Sequence, residues 1–270
     1  MIEPAIPEDE DYRLAALRML PLLDTPPEPD FDAVVQLGRA MFAVPTCLVT
    51  LVDSHRQWFK ARAGLDATET PRAHSFCGHA ILQHDVMVVP DASLDERFHD
   101  NPLVLGTPFI RFYAGAPILL PSGYTIGTVC ILGPEPRHDF DAGQQDLLAK
   151  LAMLALSAIT LRALRSNFDR ARREADRSRL LVLASPAPLA LADAEGRLEV
   201  FNEAFAALCL RPPEVGGPVE QALDLGQWPP AAMARNGSDM AVLTFNDRDA
   251  RLAVYRDPEG YILTTAPDGL

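Results

Sequence analysis

The sequence contains few of the residues around which catalytic and metal sites are commonly built. Its 270 residues include only four cysteines, no two of which form a CxxC pair, and none of its six histidines lies after His138. Cysteines of this kind in a reducing compartment are typically free thiols, so the fold is not expected to depend on disulfides. The remainder of the chain lacks a histidine phosphoacceptor, which argues against a histidine kinase.

Longer sequence signals are missing as well. No stretch approaches the roughly 18 uninterrupted apolar residues of a membrane span, and the first residues lack the basic and apolar regions of an export signal. The chain contains no Walker-type Gly-Lys-Ser/Thr loop and no GGDEF or EAL string, which mark nucleotide-binding and cyclic-dinucleotide enzymes. We therefore expect a cytoplasmic protein that is not an enzyme and does not bind a membrane.

The composition predicts two acidic, globular domains. Apolar residues make up 48% of the chain and charged residues 23%, and 270 residues exceed what one small core needs. The formal net charge is −13 and the isoelectric point is about 4.8, which repels phosphate backbones. Arginines outnumber acids between residues 162 and 179, but interspersed acids are typical of a solvated helix face. No nucleic-acid partner is expected.

The first 160 residues contain both helix and strand patterns. Two amphipathic stretches, 11–23 and 31–42, predict helices, the second capped by Asp30. Ser75 is expected to cap a short helix that begins SFCGHA. The stretch 91–110 has no clear period, and loops of this length are commonly functional. Apolar or alternating runs predict strands at residues 46–53, 57–64, 86–89, 112–120 and 125–132.

Residues 139–183 predict one helix of about forty residues. We expect its first part, from Leu147 to Leu154, to pack on the protein's own sheet. Beyond Leu161 two arrangements remain open: a lone spacer helix, or a parallel homodimer through Leu161, Phe168 and Ala175. The apolar residues that follow heptad-like steps are Leu147, Leu151, Leu154, Ala158, Leu161 and Phe168.

Residues 184–270 predict a second, smaller unit. The segment LALADAEGRLEVFN indicates a hairpin around Glu195 and Gly196, and Asn202 is expected to cap the helix that follows. The stretch 211–230 is rich in proline and glycine and has little periodicity. Three short strands are expected at residues 241–245, 250–256 and 261–266.

Several ordered blocks of the N-terminal half resemble the GAF-domain family found in bacterial signalling proteins. The blocks are LVDSHRQWFKARAGLDATETPRAHSFCGHAI, VVPDASLDERFHDNPLV, IRFYAGAPI and GYTIGTVCIL. The later segment ADAEGRLEVFNEAFAALC is similar to the opening of a PAS domain. The resemblance implies an α+β fold in which a central antiparallel sheet is flanked by helices. It implies a GAF-like domain at residues 1–160, a connecting helix at 139–183, and a PAS-like domain at 184–270 that departs from the PAS pattern over 211–230.

The resemblance also implies a ligand pocket between the sheet and the loop at residues 91–110. Family members bind cyclic nucleotides, bilins, haem or other small molecules, and the cofactor or ligand of this chain is unknown. Of Trp58 and Phe59, one is expected to line the pocket and the other to pack beneath a helix. The candidate pocket residues are Trp58, Phe76, Cys77, His79, Asp91, Phe98, Arg111, Tyr113 and Cys130.

Cys77 and His79 are candidates for a reactive thiol, a metal site or the attachment of a chromophore. Cys77 lies in the first turn of a short helix, where amide dipoles would lower the pKa of its thiol. The alternative, stronger still for Cys130 in mid-strand, is a small buried apolar side chain. Together with His74, these residues supply too few ligands for zinc. Gly78 stands where bilin-binding GAF domains place a histidine after the attachment cysteine. Neither a metal nor a covalent chromophore is expected.

Arg111 begins a strand beside the long loop. Alternation places Arg111 and Tyr113 on one face of the strand and Phe112 on the other. A guanidinium beside an aromatic ring suits a planar or anionic ligand. The alternative is that Arg111 pairs with Asp91 or Asp95 and only pins the loop.

Together these patterns predict a non-catalytic sensory protein. A small molecule of unknown identity would bind the GAF pocket, close the 91–110 loop, and change the long helix that leads to the PAS-like domain and a partner kinase or regulator. One alternative is an interaction protein whose GAF and PAS folds are degenerate scaffolds. Another is a thiol enzyme that reduces methionine sulfoxide through Cys77. A polar-lined cavity favours the sensor, and a pocket filled by its own side chains favours the scaffold.

Overall fold

The computed structural model describes residues 1–209, 211–223, 240–245, 250–257 and 260–265. The chain divides into two compact units, Met1–Asn167 and Phe168–Leu270. The first unit holds two clusters of buried apolar side chains, and the second holds another. Each unit therefore has a core of its own.

The first unit is built on a six-stranded antiparallel sheet with the order β3-β2-β1-β6-β5-β4. Every residue of β1 and β6 is buried, because both faces of the sheet are covered. The predicted strands are confirmed to within one or two residues, and β3 is an addition. The strands are β1 (Thr46–Val52), β2 (Arg56–Ala63), β3 (Glu69–Pro71), β4 (Met87–Val89), β5 (Phe112–Leu119) and β6 (Thr125–Gly133).

The two faces of this sheet carry different helices. One face packs against α1 (Glu10–Met19), α2 (Pro29–Phe42) and the first half of α5 (Ala142–Ala184). The other face packs against α3 (Phe76–Ala80) and α4 (Pro102–Leu105). The alternation predicted for β5 is confirmed, because Phe112 lies in the first core cluster and Tyr113 in the second.

The helix starts agree only in part with the predicted caps. Ser75 caps α3 as predicted, with its side chain accepting a hydrogen bond from the amide of Gly78. The prediction for Asp30 is wrong: the N-cap position of α2 is Glu28, followed by Pro29, and Asp30 lies in the first turn. Proline is favoured there because it needs no amide partner at that position. Asn101 caps α4 inside the stretch predicted to be a loop.

Helix α5 has 43 residues, as its pattern predicts. The expectation that the part from Leu147 to Leu154 packs on the sheet is confirmed for Leu151, which is 2% exposed, but not for Leu147 and Leu154, which are 41% and 51% exposed. A sheet covers a broader stripe of a helix than a coiled-coil seam does, so the buried positions extend beyond those of the heptad. The residues of α5 buried against the sheet are Leu148, Leu151, Ala152, Ala155 and Ile159.

Helix α5 is also long and apolar enough to cross a membrane, judged by length and composition alone. The mean hydropathy of its most apolar 18-residue window is 1.8, and 28% of that window is buried. A core helix of a globular protein meets the same criterion. Leu148, Leu151 and Ile159 give α5 that role in the first unit.

The second unit contains a five-stranded antiparallel sheet with the order β8-β7-β11-β10-β9. Gly196, at a φ of 77°, forms the predicted hairpin turn, and Asn202 caps α6 by accepting from the amide of Phe205. Helix α7 lies in the stretch 211–230 that has little periodicity, and residues 224–230 are outside the described residues. The elements are β7 (Leu189–Asp193), β8 (Leu198–Phe201), α6 (Glu203–Leu208), α7 (Val219–Leu223), β9 (Met240–Phe245), β10 (Ala250–Asp257) and β11 (Gly260–Thr265).

Candidate functional site

A cavity of about 290 Å³ lies between the sheet of the first unit and the segments that carry α3 and α4. Its walls are mostly apolar. Leu48 of β1 and Phe59 of β2 lie on one side, and Leu103 and Ile110 lie on the other. The space is of the kind expected of a ligand pocket: concave, apolar, and supplied with a few polar groups.

Two hydrogen-bonded polar groups of the cavity come from neighbouring elements. Gln57 of β2 and Ser75, the cap of α3, both line it. The Ser75 hydroxyl donates a hydrogen bond to Oε1 of Gln57 and accepts one from the amide of Gly78 at 2.8 Å. Of the residues that line the cavity, Asp66 alone carries a charged side chain. An anionic ligand would find no lysine, arginine or histidine there, so the lining disfavours an anion.

Two thiols form part of the cavity wall. Sγ of Cys77, on α3, lies 3.7 Å from Sγ of Cys130, on β6. The hydroxyl of Tyr113, on β5, donates a hydrogen bond of 3.2 Å to Sγ of Cys77. All three side chains are buried and line the cavity.

These neighbours set the ionisation of the two thiols. Burial raises the pKa of the Cys77 thiol, but hydrogen bonds from its neighbours outweigh burial and lower that pKa to about 7. The neighbours are Cys130, Thr128, Tyr113 and Thr50. The hydrogen bond to Cys77 and burial raise the pKa of Cys130 well above its usual range. The cause differs from the helix dipole expected from the sequence, and Cys77 is the more acidic of the two thiols.

The cavity brings together four of the predicted pocket residues. Phe76, Cys77, Tyr113 and Cys130 line it. Phe98 lies behind this wall, with its ring stacked on Phe76 at a centroid distance of 3.9 Å.

The predicted placement of three other residues is not found. Trp58 packs in the core beneath α2 and α5, and its neighbour Phe59 lines the cavity instead. His79 is bonded through its ring to the carbonyl of Ile2 at 3.0 Å. Asp91 accepts hydrogen bonds from the amide and hydroxyl of Ser93 and so stabilises a turn.

Arg111 also lies outside the cavity lining. Its guanidinium donates to the carbonyls of Val104 and Ile110 at 2.9 and 3.1 Å. It therefore pins the 91–110 segment, as one of the two interpretations held, but through carbonyls rather than carboxylates. Asp95 forms its ion pair with Arg97.

The sequence interpretation missed five polar cavity residues, which are Gln57, Asp66, Thr70, Ser75 and Thr107. Alternation along β2 places Gln57 on the same side as Phe59, which was a usable signal. The cap of α3 was predicted, but its contact with Gln57 depends on the fold.

The comparisons with known proteins concern this first unit. Residues 26–159 match the sequence model of the GAF domain. A protein of Pseudomonas aeruginosa named cyclic di-GMP phosphodiesterase is 42% identical over 164 residues, which are 60% of this chain and 28% of that protein. The chain thus spans less than a third of the curated relative, and the GAF resemblance is confirmed.

Two solved structures are similar to this chain. The GAF domain from an Acinetobacter phosphoenolpyruvate-protein phosphotransferase is 18% identical, with a TM-score of 0.42 over 58% of this chain and 98% of that one. The free methionine-R-sulfoxide reductase from Neisseria meningitidis is 16% identical, with a TM-score of 0.42 over 62% of this chain and 98% of that one.

The expectation that the chain is not an enzyme is contradicted. The relative that is 42% identical carries the name of an enzyme, a cyclic di-GMP phosphodiesterase. The sequence argument rested on missing Walker, GGDEF and EAL strings, and such strings mark only some catalytic sites. A catalytic role therefore stays open for this chain.

Proposed function

We propose, from the GAF domain at residues 26–159, that this chain is a sensory or regulatory protein of bacterial signal transduction whose cavity binds a small, uncharged molecule. The cavity itself carries the proposal. It offers about 290 Å³ of space beside Gln57, Ser75 and Asp66, whereas a scaffold with a degenerate fold would fill such a space with its own side chains.

The size and lining of the cavity narrow the ligand class. Its volume is at the lower end of the usual range for ligand pockets, which is about 300–1,000 Å³. A tetrapyrrole or a dinucleotide would need a larger space, and phosphate groups would lack a cation to meet them. A compact molecule with one or two hydrogen-bonding groups fits, with its polar end at Gln57 and Ser75.

The transmission of the signal is part of the proposal. Helix α5 is anchored in the first core through Leu151 and Ile159 and continues past Leu161 and Phe168, which are 44% and 70% exposed. Exposed apolar residues on one long helix suit a homodimer of this chain. A PAS-like second domain and a partner kinase or regulator in the cytoplasm complete the proposed route.

The downstream chemistry follows from the Pseudomonas aeruginosa relative. Its shared 164 residues and its name support a role for this chain in controlling cyclic di-GMP hydrolysis. Incubating the purified chain with cyclic di-GMP and following the linear product by chromatography tests this role. If the chain alone forms the linear product, the proposed regulatory role is wrong and the chain itself catalyses the hydrolysis.

Ligand binding is tested by native mass spectrometry of freshly purified protein, together with an absorption spectrum. We expect a bound small molecule with no visible absorption band. Leu103→Trp, at the cavity wall, should abolish this added mass. Leu105→Trp is the matched control, because Leu105 is 67% exposed on the same short helix and is not part of the lining. A wild-type protein with no added mass, and no thermal stabilisation by a library of uncharged metabolites, would contradict the proposal.

A further inference from the structure

The sulfur atoms of Cys77 and Cys130 have a geometry that ligand binding does not require. They lie 3.7 Å apart, while a disulfide bond joins two sulfurs at about 2.05 Å. The two residues come from different elements, α3 and β6, and a bond between them requires the sulfurs to approach by about a further 1.6 Å. Both side chains are buried and line the same cavity, so the cavity is the route by which a small reagent would approach the two sulfurs.

The other two cysteines are placed differently. Cys47 of β1 lies opposite Ile131 of β6. Its side chain lies in the core cluster on the face of the sheet that packs against α1, α2 and α5. Burial raises the pKa of Cys47 to about 12. Cys209 lies in the core of the second unit, where its thiol donates to the carbonyl of Phe205 at 3.4 Å. Each of these thiols has the environment of a buried, unreactive side chain.

Cys77 is the sulfur better placed to react first. It accepts the hydrogen bond of the Tyr113 hydroxyl at 3.2 Å, which stabilises the thiolate form. The pKa of Cys77 is lowered to about 7, with burial opposed by hydrogen bonds from its neighbours. Cys130, whose pKa is raised, keeps its proton and stands beside Cys77 as the second thiol.

We propose that Cys77 and Cys130 form a dithiol site that a hydroperoxide oxidises to an intramolecular disulfide across the floor of the cavity. The Cys77 thiolate attacks one peroxide oxygen, so that an S–O bond forms, the O–O bond breaks, and the leaving hydroxide takes up a proton to become water. The Cys130 sulfur then attacks the Cys77 sulfenic acid. An S–S bond forms, the S–O bond breaks, and the departing hydroxide takes the Cys130 proton.

The net reaction consumes two thiols and one hydrogen peroxide and yields one disulfide and two waters. It requires no ligand and no second domain, so it stands independently of the proposed sensory function. The disulfide would draw α3 towards β6 and change the cavity that Ser75 and Phe76 line from the same helix. The cavity would then respond to oxidation as well as to its ligand.

The test is thiol mapping of the purified, full-length wild-type chain. After reduction and removal of the reductant, the protein is treated with hydrogen peroxide, quenched, denatured and alkylated. We expect two of the four thiols to escape alkylation, the mass of the chain to fall by two hydrogen atoms, and a protease digest to contain a peptide pair joined through Cys77 and Cys130. Dithiothreitol should restore both thiols.

Four variants assign the roles of the residues. Cys130→Ser should leave a Cys77 sulfenic acid that dimedone traps, and Cys47→Ser should form the disulfide at the wild-type rate. Tyr113→Phe should slow the loss of thiols about threefold or more, because it removes the hydrogen bond to Cys77. Tyr124→Phe, at the turn between β5 and β6, is the matched control for Tyr113→Phe and should not slow the loss of thiols.

The wild-type result decides whether the disulfide between Cys77 and Cys130 forms, even if a variant fails to fold. The proposal is overturned if all four thiols remain open to alkylation while methionines in the same sample are oxidised. It is also overturned if the cross-link joins another pair of cysteines or two different chains. Ligand binding measured by native mass spectrometry on the reduced protein is unaffected by either result, so the two proposals fail separately.

Discussion

Gly115 sets the position of the Tyr113 hydroxyl. A Cβ atom added at residue 115 would lie 2.1 Å from that oxygen, closer than any packing allows. The phenol therefore lies over the glycine, and this placement directs the hydroxyl to Sγ of Cys77. The absent side chain at Gly115 thus helps to shape the thiol site.

Gly115→Ala is expected to destabilise the first unit by about 1–3 kcal/mol, the usual cost of an overpacked core. The change should also slow peroxide oxidation of Cys77, because the Tyr113 hydroxyl must move. Urea unfolding and thiol titration measure the two effects. Gly133→Ala is the control, since its Cβ would meet only Pro45 at 3.6 Å, an ordinary contact. Equal stability losses in both variants would contradict this account.

Glu10 anchors the first helix through two arginines. Its carboxylate accepts hydrogen bonds from Arg13 at 2.7 and 2.8 Å and another from Arg72. Both arginines are almost fully buried. Burial raises the pKa of Glu10, but the hydrogen bonds and charges of Arg13 and Arg72 outweigh it and lower the pKa from 4.5 to about 2.

Because the pKa of Glu10 is lower in the folded protein, its contribution to stability is complete above pH 4.5 and is lost as the pH falls towards 2. Glu10→Gln should cost roughly 3 kcal/mol at neutral pH, since it leaves two buried arginines without their carboxylate. Urea unfolding at several pH values should show the gap between wild type and variant narrowing below pH 4.5. Glu8→Gln, at an exposed position, should change little, and a gap that widens in acid would contradict the prediction.

The residues of the cavity could be predicted only in part from the sequence, for two reasons. All of β2 between Gln57 and Ala61 is buried on both faces, so hydrophobicity could not decide which of Trp58 and Phe59 faces the cavity. The proximity of Cys77 and Cys130 carried no sequence signal, since 53 residues separate them. Their contact depends on the packing of α3 against β6.

At the scale of elements, long periodic stretches were predictable and short ones were not. Strands β1, β2, β5 and β6 were expected close to their observed bounds, because alternation and turn residues marked them. Strand β3 has three residues and is defined by its pairing with β2, which no local pattern reveals. Helix α4 has four residues within the 91–110 stretch, too few to show a period.

Helix α5 carries the prediction that belongs to this scale. Its Leu161, Leu164 and Phe168 are 44%, 61% and 70% exposed, and water contact with three such side chains on one helix is unfavourable. We expect the wild-type chain to sediment as a dimer at tens of micromolar, and the double variant Leu161→Glu, Phe168→Glu to sediment as a monomer.

The control for the dimer prediction is Met19→Glu, which charges another exposed apolar residue, 84% exposed, on helix α1. It should leave the sedimentation coefficient unchanged. A wild-type chain that is monomeric over the whole concentration range would remove the dimer from the proposed signalling route. It would leave α5 as a single connecting helix.

At the scale of the whole molecule, the two units differ in what stabilises them. The first unit has two core clusters on opposite faces of a six-stranded sheet, and the second has a cluster on a five-stranded sheet. Phe31 is 1% exposed in the first unit and Phe205 is fully buried in the second. Truncating such a phenylalanine typically costs about 3–5 kcal/mol, because it removes apolar contacts and leaves a cavity.

Since the cores share no residues, we expect calorimetry to resolve two unfolding transitions, one for each unit. Phe205→Ala should lower the midpoint of one transition, and Phe31→Ala should lower that of the other. An uncharged ligand of the GAF cavity should raise only the transition that Phe31→Ala lowers, because a ligand stabilises the unit that binds it. A single transition that both variants shift equally would show that the units unfold together. In that case ligand binding in the cavity would be energetically coupled to the second unit through the folding equilibrium itself, without any rearrangement of α5.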